Sequence, residues 1–184
     1  MTFSWTPHRF AGGALALDVA NSVVLRFDPA RRIDRYADVK AIDAFAGAAN
    51  NLCAERERTG PLVSVAPERR AAFLDLREAI DLHFRAEASG EGTPTRLAEL
   101  LEAIADTLRH SGNRAGALDA ATAHSALRLT VNAAPDRLKI CPNCGWLFLD
   151  KSRNRSRTWC DMAICGNRAK ASRHYYRHRE EANP

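Results

Sequence analysis

Four of the five cysteines in this chain stand at positions 141, 144, 160 and 165, as C-x2-C, fifteen intervening residues, then C-x4-C. Two residues between thiolates let a tight turn aim both sulfurs at one ion, and two such pairs supply the closed tetrahedral shell of a structural zinc site. In CPNCG, Pro142 stiffens the turn and Gly145 relieves crowding beside the second sulfur. The spacing therefore assigns Cys141, Cys144, Cys160 and Cys165 to a single structural Zn2+. An iron–sulfur cluster also accepts four cysteines, but the paired spacing and the arginine-rich surroundings favour zinc. Four thiolates leave the metal no open position, which argues against a catalytic role. The fifth, Cys53, falls on the apolar face of a predicted helix and reads as a small buried hydrophobe.

The second chemical feature is charge. Residues 1–136 carry 16 Lys+Arg against 18 Asp+Glu, whereas residues 137–179 carry 11 Lys+Arg against Asp150 and Asp161 alone. The basic character of the chain is thus local to the cysteine block, and a local basic block points to a polyanionic partner. Lys170, Arg173, His174 and Arg177 fall at i, i+3, i+4 and i+7 of a predicted terminal helix, one stripe suited to duplex DNA, while Ala169, Ala171 and Tyr175 lie off that stripe and are expected to pack on the finger. Arg153, Arg155 and Arg157 in the loop DKSRNRSR are candidates to grip phosphates beside it. Asn167 is expected to cap that helix, and Arg168 suits a place behind the thiolates.

The elements that must position these residues read as mainly α. Ala, Leu, Arg and Glu recur at helical spacing through the first 136 residues, and no strand pattern there is persuasive. Helices are expected from Val39 to about Glu57, from Pro67 to about Glu87 with Phe73, Leu76, Ile80 and Phe84 as its stripe, and from Ala117 to Ala133. Thr93 and Pro94 start another, which should carry Leu97, Leu100, Leu101, Ile104 and Leu108 inward. FAGGALALDVANSVV is ambiguous in periodicity and reads as a helix beginning near Gly13. Within the cysteine block, Trp146 to Leu149 reads as a short strand whose hairpin partner would come back through Thr158 and Trp159. The expected organisation is a helical domain over 1–135 and a small zinc finger over 136–184, built from knuckle, short β-hairpin and helix. Thirty-odd residues need their metal to fold.

W-C-x4-C followed by Gly166, Asn167 and Arg168, together with CPNCGWLFLD and SRNRSR, resembles the CGNR zinc-finger family. The N-terminal run of Gly13, Leu15, Leu17, Asp18, Val19, Asn21 and Ser22 resembles the ABATE domain that accompanies this finger in bacterial stress-induced transcription regulators, with Val19 in the place of an aromatic residue and Ser22 in that of threonine. The resemblance implies a finger that binds double-stranded DNA, zinc on the four cysteines, and a helical domain that senses a ligand or stress signal. Asp18 and Asn21 sit three apart in an apolar segment, and on a helix they would share a face that could line a polar pocket for such an effector.

Other classes fit less well. There is no H-E-x-x-H, no phosphate-cradling glycine loop and no nucleophile paired with a base, so an enzyme is not expected. The longest apolar stretch is interrupted by Asp18 and Asn21 and is too short to span a membrane, and the N-terminus lacks the features of a secretory signal; a cytoplasmic, nucleoid-associated protein is expected. A regulator reading a palindrome would be a homodimer, although no heptad seam announces one. The rivals are an RNA or single-strand binder that stacks bases on Trp146, Trp159 and Tyr176, and a protein-interaction module with a purely structural finger.

Overall fold

The computed structural model describes residues 3–112, 114–132, 135–172 and 175. Among the described residues up to 132 the α-helices, in chain order, are α1 (Leu15–Ala20), α2 (Val39–Leu52), α3 (Arg56–Thr59), α4 (Arg70–Ser89), α5 (Pro94–His110) and α6 (Leu118–Asn132). Two hairpins interrupt them, β1 (Val23–Val24) with β2 (Ile33–Asp34) and β3 (Leu138–Ile140) with β4 (Leu147–Leu149), both antiparallel. The chain is mainly α with a small C-terminal hairpin and cysteine cluster, as its periodicity predicts.

The helix starts follow local chemistry. Thr93 accepts from the Arg96 amide and Pro94 opens α5, while Asp38 accepts from Lys40 at the start of α2. Pro67–Arg69 forms a 3-10 turn that leads into α4, which ends at Gly90 in the left-handed conformation. The second helix is shorter than expected, stopping at Leu52 because Cys53 turns extended.

Buried side chains form two apolar clusters in the helical part. One gathers Phe10, Leu15, Val19, Tyr36, Phe45 and Phe73; the other gathers Leu17, Leu76, Ile80, Phe84, Leu100 and Ile104. Each such side chain, fully buried, contributes about 1.5–3 kcal/mol. The second cluster also contains Leu138 and Leu147, so the C-terminal hairpin packs into the same core as α1 and α4 and across the expected boundary at 135/136. Within the helical part Arg77, nearly buried, forks onto Asp34 at 2.7 and 2.9 Å, which ties β2 to α4.

Two leucines of the predicted α5 stripe differ from expectation. Leu100 and Ile104 are buried, but Leu97 and Leu101 are exposed and Leu108 only half-buried, because α5 packs through a narrower face than its apolar stripe. Among the described residues no helix is long and apolar enough to cross a membrane.

Candidate metal centre

The first cysteine pair is set by a hairpin. β3 delivers Cys141 and β4 leaves from Trp146, with Lys139 opposite Phe148 and Ile140 opposite Leu147. Between the strands, the Gly145 amide donates to the Cys141 carbonyl at 2.8 Å and the Cys141 amide to the Trp146 carbonyl at 2.8 Å. Gly145 has φ +75°, a backbone conformation that a side chain would resist, and this closes the knuckle. The partner of the Trp146–Leu149 strand is therefore the segment before the knuckle, and Thr158 and Trp159 lie outside any described strand. A pairing across four residues costs less loop-closure entropy than one across the longer loop.

The second pair comes from a π-helical turn, Met162–Gly166. Asp161 caps it by accepting from the Ile164 amide at 3.1 Å, and the Asp161 carbonyl receives the amides of Cys165 and Gly166. Helical backbone continues over 167–172. The cap is thus Asp161 and not Asn167, whose amide instead donates back to the Ala163 carbonyl at 2.8 Å. His8 of the N-terminal segment pairs with the same Asp161 at 3.0 Å. Burial raises the Asp161 carboxyl, but His8 and the backbone donors hold it below its ordinary value.

All four sulfurs are buried and lie within 4.8 Å of one another, with Cys144 to Cys160 at 3.5 Å and Cys160 to Cys165 at 3.6 Å. A tetrahedral zinc with Zn–S bonds of about 2.3 Å sets its sulfurs about 3.8 Å apart, so the cluster fits that ion. Hydrogen bonds from Cys144 and Cys160 lower Cys141 and raise the other two. One thiolate, held by its neighbours' protons, is what the cluster tolerates by itself; four at this spacing require a divalent cation. Asn143 donates to the Cys165 sulfur at 3.4 Å. Arg168, expected behind the thiolates, is exposed and makes no described contact with them.

The loop after β4 is organised around Asp150, which is fully buried. Its carboxylate accepts from Lys139 Nζ at 2.7 Å and from the amides of Ser152 and Arg157 at 2.9 Å each. Burial pushes this carboxyl up, but Lys139 and the Ser152 and Arg157 donors prevail and hold it well below the usual carboxylate range. Several of the basic residues in this block consequently face inward. Lys139 also reaches the Arg157 carbonyl, Arg137 binds the carbonyls of Asp150 and Ser152, and Arg157 donates to the Trp159 carbonyl while lying 5.1 Å from the Phe148 ring. Arg155 pairs with Asp136 but remains half exposed. Arg153 and Lys170 are exposed, with no ion-pair partner among the described residues. Arg173, His174 and Arg177 lie outside the described residues. Ala171 and Tyr175, expected to pack on the finger, are exposed as well.

Asp18 and Asn21, expected to line a polar pocket, are both buried and hydrogen-bonded to backbone. Asn21 donates to the Leu147 carbonyl at 2.8 Å and accepts from the Leu147 amide at 2.9 Å, clamping α1's end to β4. Asp18 accepts from the Gly12 amide at 2.9 Å, where a Cβ on Gly12 would come within 2.7 Å of the carboxyl oxygen. Burial pushes Asp18 up to about 8, partly offset by that amide and by the Cys53 thiol, which lies nearby without closing a well-formed hydrogen bond. Cys53 is itself buried and pushed up to about 12, first by burial and then by Asp18.

More contacts bind finger to body. The Trp146 indole donates to the Val23 carbonyl at 3.1 Å, Leu25 donates to the Cys144 carbonyl at 3.1 Å, Leu149 to the Gly12 carbonyl at 2.9 Å, and Arg85, held by Asp81, to the Gly145 carbonyl at 2.9 Å. None of these partners was legible as functional in the sequence. Asp150 had one signal, as one of two acids in a basic run.

Residues 137–178 match the CGNR zinc finger. Among curated proteins none matches the chain. The match covers both cysteine pairs, the Asp150 loop and the start of the terminal helix, and with the sulfur geometry it makes this a zinc-binding site. Residues 1–136 lie outside it.

Proposed function

We propose that the protein is a zinc-dependent, DNA-binding regulator of transcription that responds to stress, working in the cytoplasm on the nucleoid. Its finger end takes double-stranded DNA, and its ABATE-like helical part receives a ligand or signal. The observation that carries this reading is the contrast within the finger. Both cysteine pairs and the hairpin are buried against the body, whereas nearly all of the segment 167–172 beyond Cys165 is exposed, with Arg168 and Lys170 on it. A helix that leaves its own fold uncovered and basic is available to phosphates. The zinc is structural in this account: Cys141, Cys144, Cys160 and Cys165 hold the ion, which orders the turn from which the helix departs.

Single-strand stacking has less support. Trp146 is nearly buried with its indole nitrogen bonded to Val23, which removes one of the three aromatic platforms such binding would use.

The test is binding of zinc-loaded protein to random duplex DNA across a salt series, compared with Lys170, Arg173 and Arg177 all changed to Ala. Affinity should fall steeply with salt, and the triple variant should lose about three from the magnitude of the log–log slope. Flat or absent binding by folded, metal-loaded protein would reject the reading in favour of a protein-interaction module.

A further inference from the structure

We propose that the open cleft bordered by α4, α5, α6 and β3 is a binding site for a small, largely apolar molecule that carries one hydrogen-bonding group and is neutral or cationic. The inference rests on reading the helical part as the receiving half of a regulator, and gives that half a place.

The cavity measures about 430 Å³, within the roughly 300–1,000 Å³ of small-molecule sites. Its wall is mostly apolar. Leu97 and Leu101 of α5 and Leu127 and Val131 of α6, four of the large hydrophobic side chains left exposed on this protein, all border it. Scattered single exposed leucines are ordinary, but four converging on one concavity are not. The departure of Leu97 and Leu101 from the α5 core has the same origin: that stripe continues past the helix contact and into the cavity.

The polar groups decide the ligand's chemistry. His83 of α4 lines the cavity, is only 5% exposed, and its Nδ1 is buried without a hydrogen-bond partner. A buried polar atom left unpaired costs about 1–3 kcal/mol, which a ligand group could recover. Burial lowers the imidazole below its ordinary value against the opposing pull of Glu87, so it is presented neutral. Glu87, one turn further along α4, supplies a carboxylate at the edge, and no arginine or lysine is among the described lining residues. An anionic ligand would meet like charge and find no counter-charge; a neutral donor or an amine meets a complementary wall.

One wall belongs to the finger. Leu138 of β3 borders the cavity three residues before Cys141, so a bound molecule touches the strand that delivers the first zinc ligand. That is a direct route from occupancy to the metal centre.

The experiment is a fluorescence titration of zinc-loaded, full-length protein, without DNA, using N-phenyl-1-naphthylamine, a neutral two-ring-system amine with a single N–H. Saturable binding of one molecule per chain is expected, at least tenfold weaker after Leu101→Glu, a change at an exposed position that should leave the fold intact. Leu97→Glu on the same wall serves if that variant misfolds. Leu82→Glu, an exposed leucine of α4 outside the cavity, should bind as the parent does. The same aromatic body bearing a sulfonate, 8-anilinonaphthalene-1-sulfonate, should bind at least tenfold more weakly, and His83→Phe should weaken the neutral probe several-fold. Unsaturable binding, equal affinity in the Leu101 and Leu97 variants, or a sulfonate probe that binds as tightly overturns the proposal. So does a dimer in sedimentation velocity that Leu101→Glu dissociates, because the patch would then be an interface between copies. Since no DNA is present, failure here leaves the finger's role standing, and failure of DNA binding leaves the cavity standing.

Discussion

Asp18 in the helical body and Asp150 in the finger are both fully buried, yet their surroundings drive them in opposite directions. Asp18 receives one backbone amide and is pushed up to about 8 by burial. At Asp150 burial is outweighed by Lys139 and by the Ser152 and Arg157 donors, and the carboxyl falls well below its usual range. The body tolerates a neutral acid because apolar burial holds it together. The finger needs an ionised one because its loop has little apolar surface of its own and is ordered by charge-assisted hydrogen bonds and by metal. The two regions use different physics although they share a core through Leu138 and Leu147.

The largest test of that contrast is removal of the metal. Cys160→Ser, or chelation of the native chain, should cost on the order of 4 kcal/mol or more, read from urea unfolding, and should flatten the near-ultraviolet signal of the buried Trp146. Because the hairpin packs into the helical core, the main transition itself should move. An unmoved midpoint would mean that the two regions are independently stable. Asp150→Asn, which removes the charge facing Lys139, should lower the same transition by less than metal removal does, and should release zinc faster to a competing chelator.

Next comes the seam between the regions. Asn21→Ala leaves the buried amide and carbonyl of Leu147 without partners, and at about 1–3 kcal/mol for each unsatisfied group the loss should be about 2–6 kcal/mol. Equilibrium unfolding checks this, with Thr93→Ala, an exposed cap of α5, as a control worth about 1 kcal/mol. An Asn21 variant no weaker than the cap variant would show the clamp to be incidental.

How much of this was readable from sequence follows from the distance over which each interaction acts. Cysteine spacing encodes the metal shell directly, and the four sulfurs do converge. Stripes such as Phe73, Leu76, Ile80 and Phe84 encode a helix face, since the period recurs several times within α4. The hairpin partner was misplaced because Leu138–Ile140 is only three residues, too short for alternation to register. Asn21 was legible as a polar residue in an apolar run, but its partner lies 126 positions away, and nothing local reports it. Charge is only partly readable from a count: Arg137, Lys139 and Arg157 add to the basic total, while the fold also uses them to hold Asp150 and its loop.

The last test is one of pH dependence and returns to Asp18. Its ordinary carboxyl value is 3.8 and its folded value about 8, so between those limits the folded chain keeps a proton that the unfolded chain has released. Stability from this group is therefore fully present below about pH 3.8 and is lost as pH rises to about 8. Asp18→Asn keeps a neutral side chain of the same shape and removes that slope. At or below about pH 3.8 variant and parent should differ little; the variant should gain on the parent from there up to about pH 8 and then hold a constant lead. The finger's thiolates and carboxylates titrate identically in both proteins, so the difference between the two unfolding curves at each pH isolates Asp18. A difference that does not change with pH would mean that this carboxyl ionises as it does in water, and the opposition between the two buried aspartates would be lost.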